Sequence, residues 1–364
     1  MSSQGDNYRY RCLDAWRGIA ALSIVMYHAG SYAVCRQTAL SSFEYIFSKI
    51  IQHLDIGVLL FFVISGYCIS ASTEVFRKKE KVSVFRFLLR RFSRIYPTYW
   101  MALIFALMVG SSGVYLNWGL ESNFAKPLTL SVSQWFGNIL LIETWLPLFT
   151  KRSEVLLLLP SWFLCYQVQF YVLMGLMLVF RFKLLHWTLV ISGVTLITMF
   201  FPQLIGLSSV YRLFLDGHWL FFGTGILVFY ALHFQQKKLL WSKLCFWSLA
   251  LLLIIFGAMN GSDIALYFAI STLFGVVLLT MFSDDKIIFS AWPVKPFTFC
   301  GKISYSLYLI HLPVCCVLAP KFFSWGFTSI IQTMLITIPI CIGVSVVFAI
   351  FFYRYCEKPF IAKY

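Results

Sequence analysis

Polar and apolar positions in this chain alternate in blocks of about 20 residues, far longer than the period of an amphipathic strand or helix. Apolar windows fall near 12–32, 51–73, 93–112, 160–181, 184–202, 212–232, 240–259, 264–283, 299–319 and 329–353. A helix needs about 20 residues to cross a hydrocarbon core of about 30 Å. The pattern therefore predicts an all-α fold, a polytopic transmembrane helix bundle of about ten spans. Gln134–Phe149, reading QWFGNILLIETWLPLF, is an eleventh candidate. It is short, contains Glu143 and is broken at Pro147, which predicts an interfacial or re-entrant piece.

Charge placement sets the expected orientation. With ten spans and a cytoplasmic N-terminus, most of the 29 Lys and Arg residues lie on the inner side. These include Arg9, Arg11, the cluster over 77–94, Arg181, Lys183, Lys237, Lys238, Lys243, Lys286, Lys295, Lys302, Arg354, Lys358 and Lys363. The outer side receives Arg36, Lys49, Lys126, Lys151, Arg152, Arg212 and Lys321. This asymmetry predicts an N-in, C-in topology. Counting 134–149 as a full span would move Arg181, Lys183, Lys237 and Lys238 to the outer side. The formal charge of +15 is thus accounted for as orientation signal, and no nucleic-acid partner is expected.

Composition sharpens the class. Hydrophobic residues make up 60% of the chain and charged residues 12%, with a mean hydropathy of +0.82. Those values exclude a soluble globular domain. The polar start MSSQGDNYRYR lacks the form of a cleavable signal, so the first span is expected to remain in the mature protein. One membrane domain over 1–364 is expected, without a separate soluble domain and surrounded by membrane lipids; oligomeric state is not legible. The segment from about 113 to 159 is a candidate acceptor-binding element or lid on the outer side. The ten cysteines show no CxxC pair or metal-ligand spacing, so they read as small core hydrophobes and no metal is expected. Gly-rich phosphate loops and Gly-x-Ser-x-Gly elbows are missing from the sequence.

The first apolar window carries unexpected polarity. In Leu13–His28, LDAWRGIAALSIVMYH, Arg17 and His28 are eleven residues apart. On a helix that spacing returns to nearly the same face about 16 Å farther along the axis. Asp14 lies one turn before Arg17 on the same stripe. The plain alternative is a snorkelling arginine and an interfacial histidine. The other reading is a polar stripe facing a cavity inside the bundle. A second cationic face follows the second window, where Arg86, Arg90 and Arg94 recur every four residues with Arg91 beside them. Lys78, Lys79 and Lys81 suit anionic headgroups. The guanidinium forks of Arg90, Arg91 and Arg94 suit a multiply charged phosphate ligand as well. Ser304, Tyr305, Tyr308 and His311 are candidates for cavity lining or for a hydrogen-bonded packing cluster. Ser65 and Gly66 favour close helix approach over nucleophilic chemistry, because no base is adjacent. Asp216, His218 and Glu357 lie near span ends and are expected to be solvated or paired.

The chain resembles the acyltransferase-3 family of integral membrane acyltransferases. The resemblance rests on LDAWRGIAALSIVMYH; GVLLFFVISGY at 57–67; RRFSRIYPTYW at 90–100; SWFLCYQVQFY at 161–171; GKISYSLYLIHLPV at 301–314; and EKPF at 357–360, in order along most of the chain. It implies transfer of acetyl or another short acyl group from cytosolic acyl-CoA to an envelope carbohydrate, at the bacterial inner membrane. It also implies that Arg17, Arg91 and Arg94 help bind acyl-CoA and that His28 is the essential base. Trp162, Gln167 and Tyr171 fall in a family motif and join the candidate cavity. There is one departure: where many members have Trp-Ser-Leu-x-x-Glu, this chain has Trp162, Phe163, Leu164 and Gln167. An amide cannot titrate, so Gln167 substitutes only for a hydrogen-bonding role. The acceptor class implied is a lipid-linked sugar such as an O-antigen of lipopolysaccharide or an exopolysaccharide unit. The rival class is a transporter or flippase that moves an acyl group or envelope precursor without chemistry. Against it stand the lack of repeat symmetry and of matched broken helices.

Overall fold

A computed structural model describes residues 8–36, 41–78, 84–115, 129–150, 153–180, 183–200, 217–261 and 263–361. Lys79, Lys81, Lys126, Lys151, Arg152, Arg181, Arg212, Asp216, Lys363 and the 116–128 part of the 113–159 segment lie outside these residues. The described chain is helical, with no strand among the described residues. Every apolar window read from the sequence carries a helix. In chain order these are α1 (Cys12–Val34), α2 (Ser42–Gln52), α3 (Gly57–Arg77), α4 (Val84–Tyr115), α5 (Val132–Leu140), α6 (Ser161–Val179) and α7 (Leu184–Phe200). They continue with α8 (His218–Phe234), α9 (Leu239–Asn260), α10 (Asp263–Met281), α11 (Lys295–Lys302), α12 (Ser304–Ser324) and α13 (Ile338–Phe352).

Among the described residues, seven stretches are long and apolar enough to cross a membrane: Ser42–Arg77, Val84–Ser112, Ser161–Val179, Gln236–Met259, Asp263–Ser290, Ser304–Ser324 and Ile330–Ile361. Helices α7 and α8 are apolar but shorter. Helix α1 has the length, and its Asp14, Arg17 and His28 dilute its hydropathy. The eleventh candidate is not one continuous helix. Helix α5 has nine residues and stops where Leu141 takes the left-handed conformation, φ 56°; a short turn at Glu143–Trp145 and one more at Leu146–Phe149 follow. Nine residues rise only about 14 Å, well short of a span.

The chain divides into two compact units. The first comprises Met1–Leu13, Leu59–Arg91 and Tyr166–Lys295. In lipid, apolar side chains gain little by leaving one hydrocarbon for another, so close backbone approach and shape complementarity hold helices together. A Cβ on Gly66 would lie 2.0 Å from the Phe222 carbonyl oxygen, and one on Gly225 would lie 1.9 Å from that of Val63. Glycine at both positions lets α3 and α8 meet backbone to backbone. Phe62, Phe170, Trp219, Phe222 and Phe229 fill the space around this contact and are fully buried. Asp285 accepts the backbone N–H groups of Arg11 and Cys12 at 3.1 and 2.8 Å, satisfying donors at the start of α1.

The second unit comprises Asp14–Val58, Phe92–Cys165 and Pro296–Tyr364. A Cβ on Gly18 would fall 1.9 Å from the Phe297 carbonyl oxygen, and one on Gly301 would fall 1.6 Å from that of Asp14. This places the first turns of α1 in backbone contact with α11. Cys315 on α12 reaches the Val25 carbonyl at 3.9 Å. Farther along, Glu357 is buried and accepts the backbone N–H and the hydroxyl of Ser306 at 3.1 and 2.5 Å. It is paired, one of the two outcomes expected for it, and its partner is the second serine of GKISYS.

Around α5 polar side chains tie the following segment to the helix. Asn138 donates to the Gln134 and Val155 carbonyls and accepts the Leu157 N–H, pinning 153–157 against the helix. Glu143, outside the spanning helices, is 0% exposed and accepts the Val155 N–H at 2.9 Å. Burial, with a smaller contribution from the Glu154 charge, pushes its carboxyl up to about 7 from 4.5. Between those pH values the folded protein holds a proton that the unfolded chain has lost, so stability falls as pH rises through that window. Thermal unfolding in detergent should therefore occur at a lower temperature at about pH 7.5 than at about pH 5. Glu143→Gln, which keeps the acceptor for Val155, should reduce that difference; an unchanged difference would count against this account.

Candidate active site

Each candidate site residue has a definite place. Asp14 and Arg17 sit on the first turns of α1 and form an ion pair of 3.0 Å, with side chains 33% and 24% exposed. His28 lies about three turns farther along the same helix. Its imidazole is partly accessible and makes no hydrogen bond to any described residue. It packs edge-on to Tyr27, with ring centroids 4.9 Å apart. The ring of His311, on α12, is 5.2 Å from it. The second unit thus brings together two histidines that are remote in sequence.

Helix α12 explains the arrangement. Its Ser304, Tyr305, Tyr308 and His311 follow the spacing of one broad face, and Pro313 inside the helix removes a backbone donor one turn beyond Leu309. The Tyr308 hydroxyl donates to the Pro160 carbonyl at 2.8 Å and the Tyr305 hydroxyl to that of Ile95 at 2.8 Å. Both tyrosines therefore act as struts. The Tyr308 hydroxyl proton is engaged by the Pro160 carbonyl, which fits the hydrogen-bonded packing cluster, one of the two alternatives read for it. Ser304 is buried beside them. The rings of Phe163, Tyr308, His311 and His28 form a chain of contacts with successive centroid separations of 5.6, 5.9 and 5.2 Å. Trp162 opens α6 within the same unit.

The arginines distribute along α4. Arg94 is exposed and belongs to the second unit, near enough to Glu357 for their charges to interact. Arg90 and Arg91 belong to the first unit. Arg90 lies over the Phe76 ring at 5.5 Å; Arg91 lies over Phe87 at 5.5 Å and over Tyr171 at 5.8 Å. Aromatic faces thus support these guanidinium groups. Gln167 donates through Nε2 to the Tyr171 hydroxyl at 2.9 Å. A carboxylate there would instead have to accept the tyrosine proton, so the amide reverses the polarity of that bond. Ser65 is half-buried on α3, and its neighbour Gly66 makes the contact with α8 described above. His218 stacks on Tyr166 at 4.3 Å.

Two of the polar pairs that sequence reasoning overlooked lie near candidate residues. Tyr67 and His233 share a hydrogen bond of 2.8 Å in the first unit. Ser306 with Glu357 is the other; the only hint lay in both residues falling within the quoted motifs. No group of three or more His, Cys, Asp or Glu is placed to hold a metal among the described residues.

Long apolar helices define a multi-pass integral membrane protein, and its second unit brings the His28 and His311 rings into contact. The comparison with known families makes the class specific. The acyltransferase-3 family, described as an acyltransferase domain, matches residues 10–354, and the chain belongs to it. It is a membrane acyltransferase. Among curated proteins it is similar to the "Putative membrane-bound transacylase BcsY" of Komagataeibacter xylinus, at 26% identity over 322 residues, covering 84% of this chain and 72% of the relative. No solved structure matches the chain.

Proposed function

We propose that this protein is an O-acyltransferase that moves an acyl group, most simply acetyl, from cytosolic acyl-CoA to a hydroxyl of an envelope carbohydrate, such as a lipopolysaccharide O-antigen or exopolysaccharide unit. Its setting is the bacterial inner membrane in an N-in, C-in orientation. The observation that carries this reading is the position of His28: a partly accessible imidazole on a buried helix, three turns from Arg17 along one face. The acyltransferase family and the transacylase relative support it.

In this reading Arg17 and Arg94 bind donor phosphates at the cytoplasmic side, with Arg90 and Arg91 extending the cationic face of α4. The extended pantetheine arm carries the thioester toward His28. His28 takes the proton of the acceptor hydroxyl as its oxygen attacks the thioester carbonyl. The C–S bond breaks, the CoA thiolate recovers that proton from His28, and the ester is released on the sugar. Transfer of radiolabel from the acyl group of acyl-CoA to a glycan in membranes tests the function. Label in the glycan that mild base releases supports it; uptake without covalent transfer would place the chain with transporters.

The donor site makes a separate prediction. A charge-assisted phosphate contact is worth about 1.5–3 kcal/mol. Arg94→Ala should therefore raise the KM for acyl-CoA by roughly 10-fold or more while kcat and the acceptor KM change little. A shift confined to the acceptor KM would contradict the assignment.

A further inference from the structure

The environment of His311 assigns it a task beyond packing. It is 0% exposed. Its Nδ1 lies 3.2 Å from the Leu307 carbonyl oxygen. A carbonyl can only accept, so Nδ1 carries the hydrogen and the neutral ring keeps its lone pair on Nε2. That Nε2 is buried with no hydrogen-bond partner among the described residues. An unsatisfied buried acceptor is costly, by about 1–3 kcal/mol. Such groups are rare enough in folded proteins to call for a reason.

We propose that His311 is the positioning partner of His28: its Nε2 lone pair receives a hydrogen bond from the His28 imidazolium that forms during acyl transfer. The inference rests on the reading of His28 as base. The 5.2 Å separation of the rings brings their nitrogens within reach of one shared proton after a small rotation of His28. His28 has that freedom, since no hydrogen bond to a described residue holds its ring. Tyr308 holds His311 from the other side, with its own hydroxyl tied to Pro160.

The arrangement stabilises charge only when it appears. With both rings neutral, no described group donates to the His311 Nε2 lone pair. When His28 takes the proton from the acceptor hydroxyl, its ring gains a second N–H, and one N–H turns toward His311. After the C–S bond breaks, the other nitrogen returns the proton to the thiolate, and both rings are neutral again. Because the hydrogen bond exists mainly in the protonated intermediate and the transition states flanking it, its loss should lower kcat and leave ground-state binding intact.

The test uses the full chain in membranes, with acetyl-CoA and the native glycan acceptor, normalised to folded protein by size-exclusion profile. His311→Phe keeps a flat ring and removes the acceptor; kcat should fall about 100-fold with both KM values within about twofold. His311→Gln restores an acceptor oxygen and should recover most of that loss. Combined with His28→Ala, His311→Phe should add nothing, because the two act as one unit. If His28→Ala is inactive while His311→Phe is fully active, or while Phe and Gln lose activity equally, the pairing is wrong and the base assignment stands. If His28→Ala itself is fully active, both fall.

Discussion

His28→Ala should abolish acyl transfer in membranes that contain the variant at wild-type levels. A positioned general base contributes about 10²–10⁴-fold to a transfer of this type. Neither of two titratable groups packed on α12 offers itself as a replacement: His311 is closed from solvent, and Glu357 accepts two hydrogen bonds from Ser306. His28 has no hydrogen bond to a described residue, so removing the ring leaves no broken polar network among those residues. The variant should insert, elute as a folded species and still respond to acyl-CoA in a thermal-shift assay, since Arg17 and Arg94 remain. Activity at the wild-type rate would return the α1 stripe to a snorkelling anchor. Loss of both acyl-CoA response and activity would mean that the histidine serves folding.

How much of this was legible before the structure depends on which physical constraint was at work. The apolar windows were readable because a lipid-facing backbone must satisfy its own hydrogen bonds, which leaves helices of about 20 residues as the solution. The same rule could not reveal α2, whose Ser41–Glu44 capping box is a local polar signal set among exposed apolar residues, Phe43, Tyr45, Ile46 and Ile50. Nor could it reveal the break at Leu141, since a leucine with φ 56° has no sequence signature. Arg17 and His28 were legible because one helix fixes their relation through its period. His28 and His311 were not, because their meeting depends on how α1 and α12 pack. Tyr308 illustrates the same limit. Its spacing placed it correctly beside His311, but only the structure shows that its hydroxyl is already given to Pro160.

The packing of α1 itself yields the other large effect. Gly301→Ala should leave little folded protein. The added Cβ would lie 1.6 Å from the Asp14 carbonyl oxygen and 2.6 Å from its carbon, both backbone atoms that no side-chain rotation can move aside. Relief requires the first turn of α1 to part from α11. That separation would also strip the close contact at Gly18, whose Cα faces the Phe297 carbonyl. Overpacking of a rigid contact costs about 1–3 kcal/mol and occasionally more; a backbone-to-backbone clash on this scale belongs at or above the upper end. Gly343→Ala and Gly193→Ala supply the controls, because a Cβ at either position meets nothing within 4 Å. Those variants should melt in detergent within a degree or two of the wild type, whereas Gly301→Ala should aggregate or melt far below it. Should Gly301→Ala stay folded, acyl transfer becomes the decisive reading. A shifted α1 start would move Asp14 and Arg17 while His28, farther along, stays near His311, so the KM for acyl-CoA should rise more than kcat falls. Unchanged stability together with unchanged kinetics would show that the two backbones are not held together at this point.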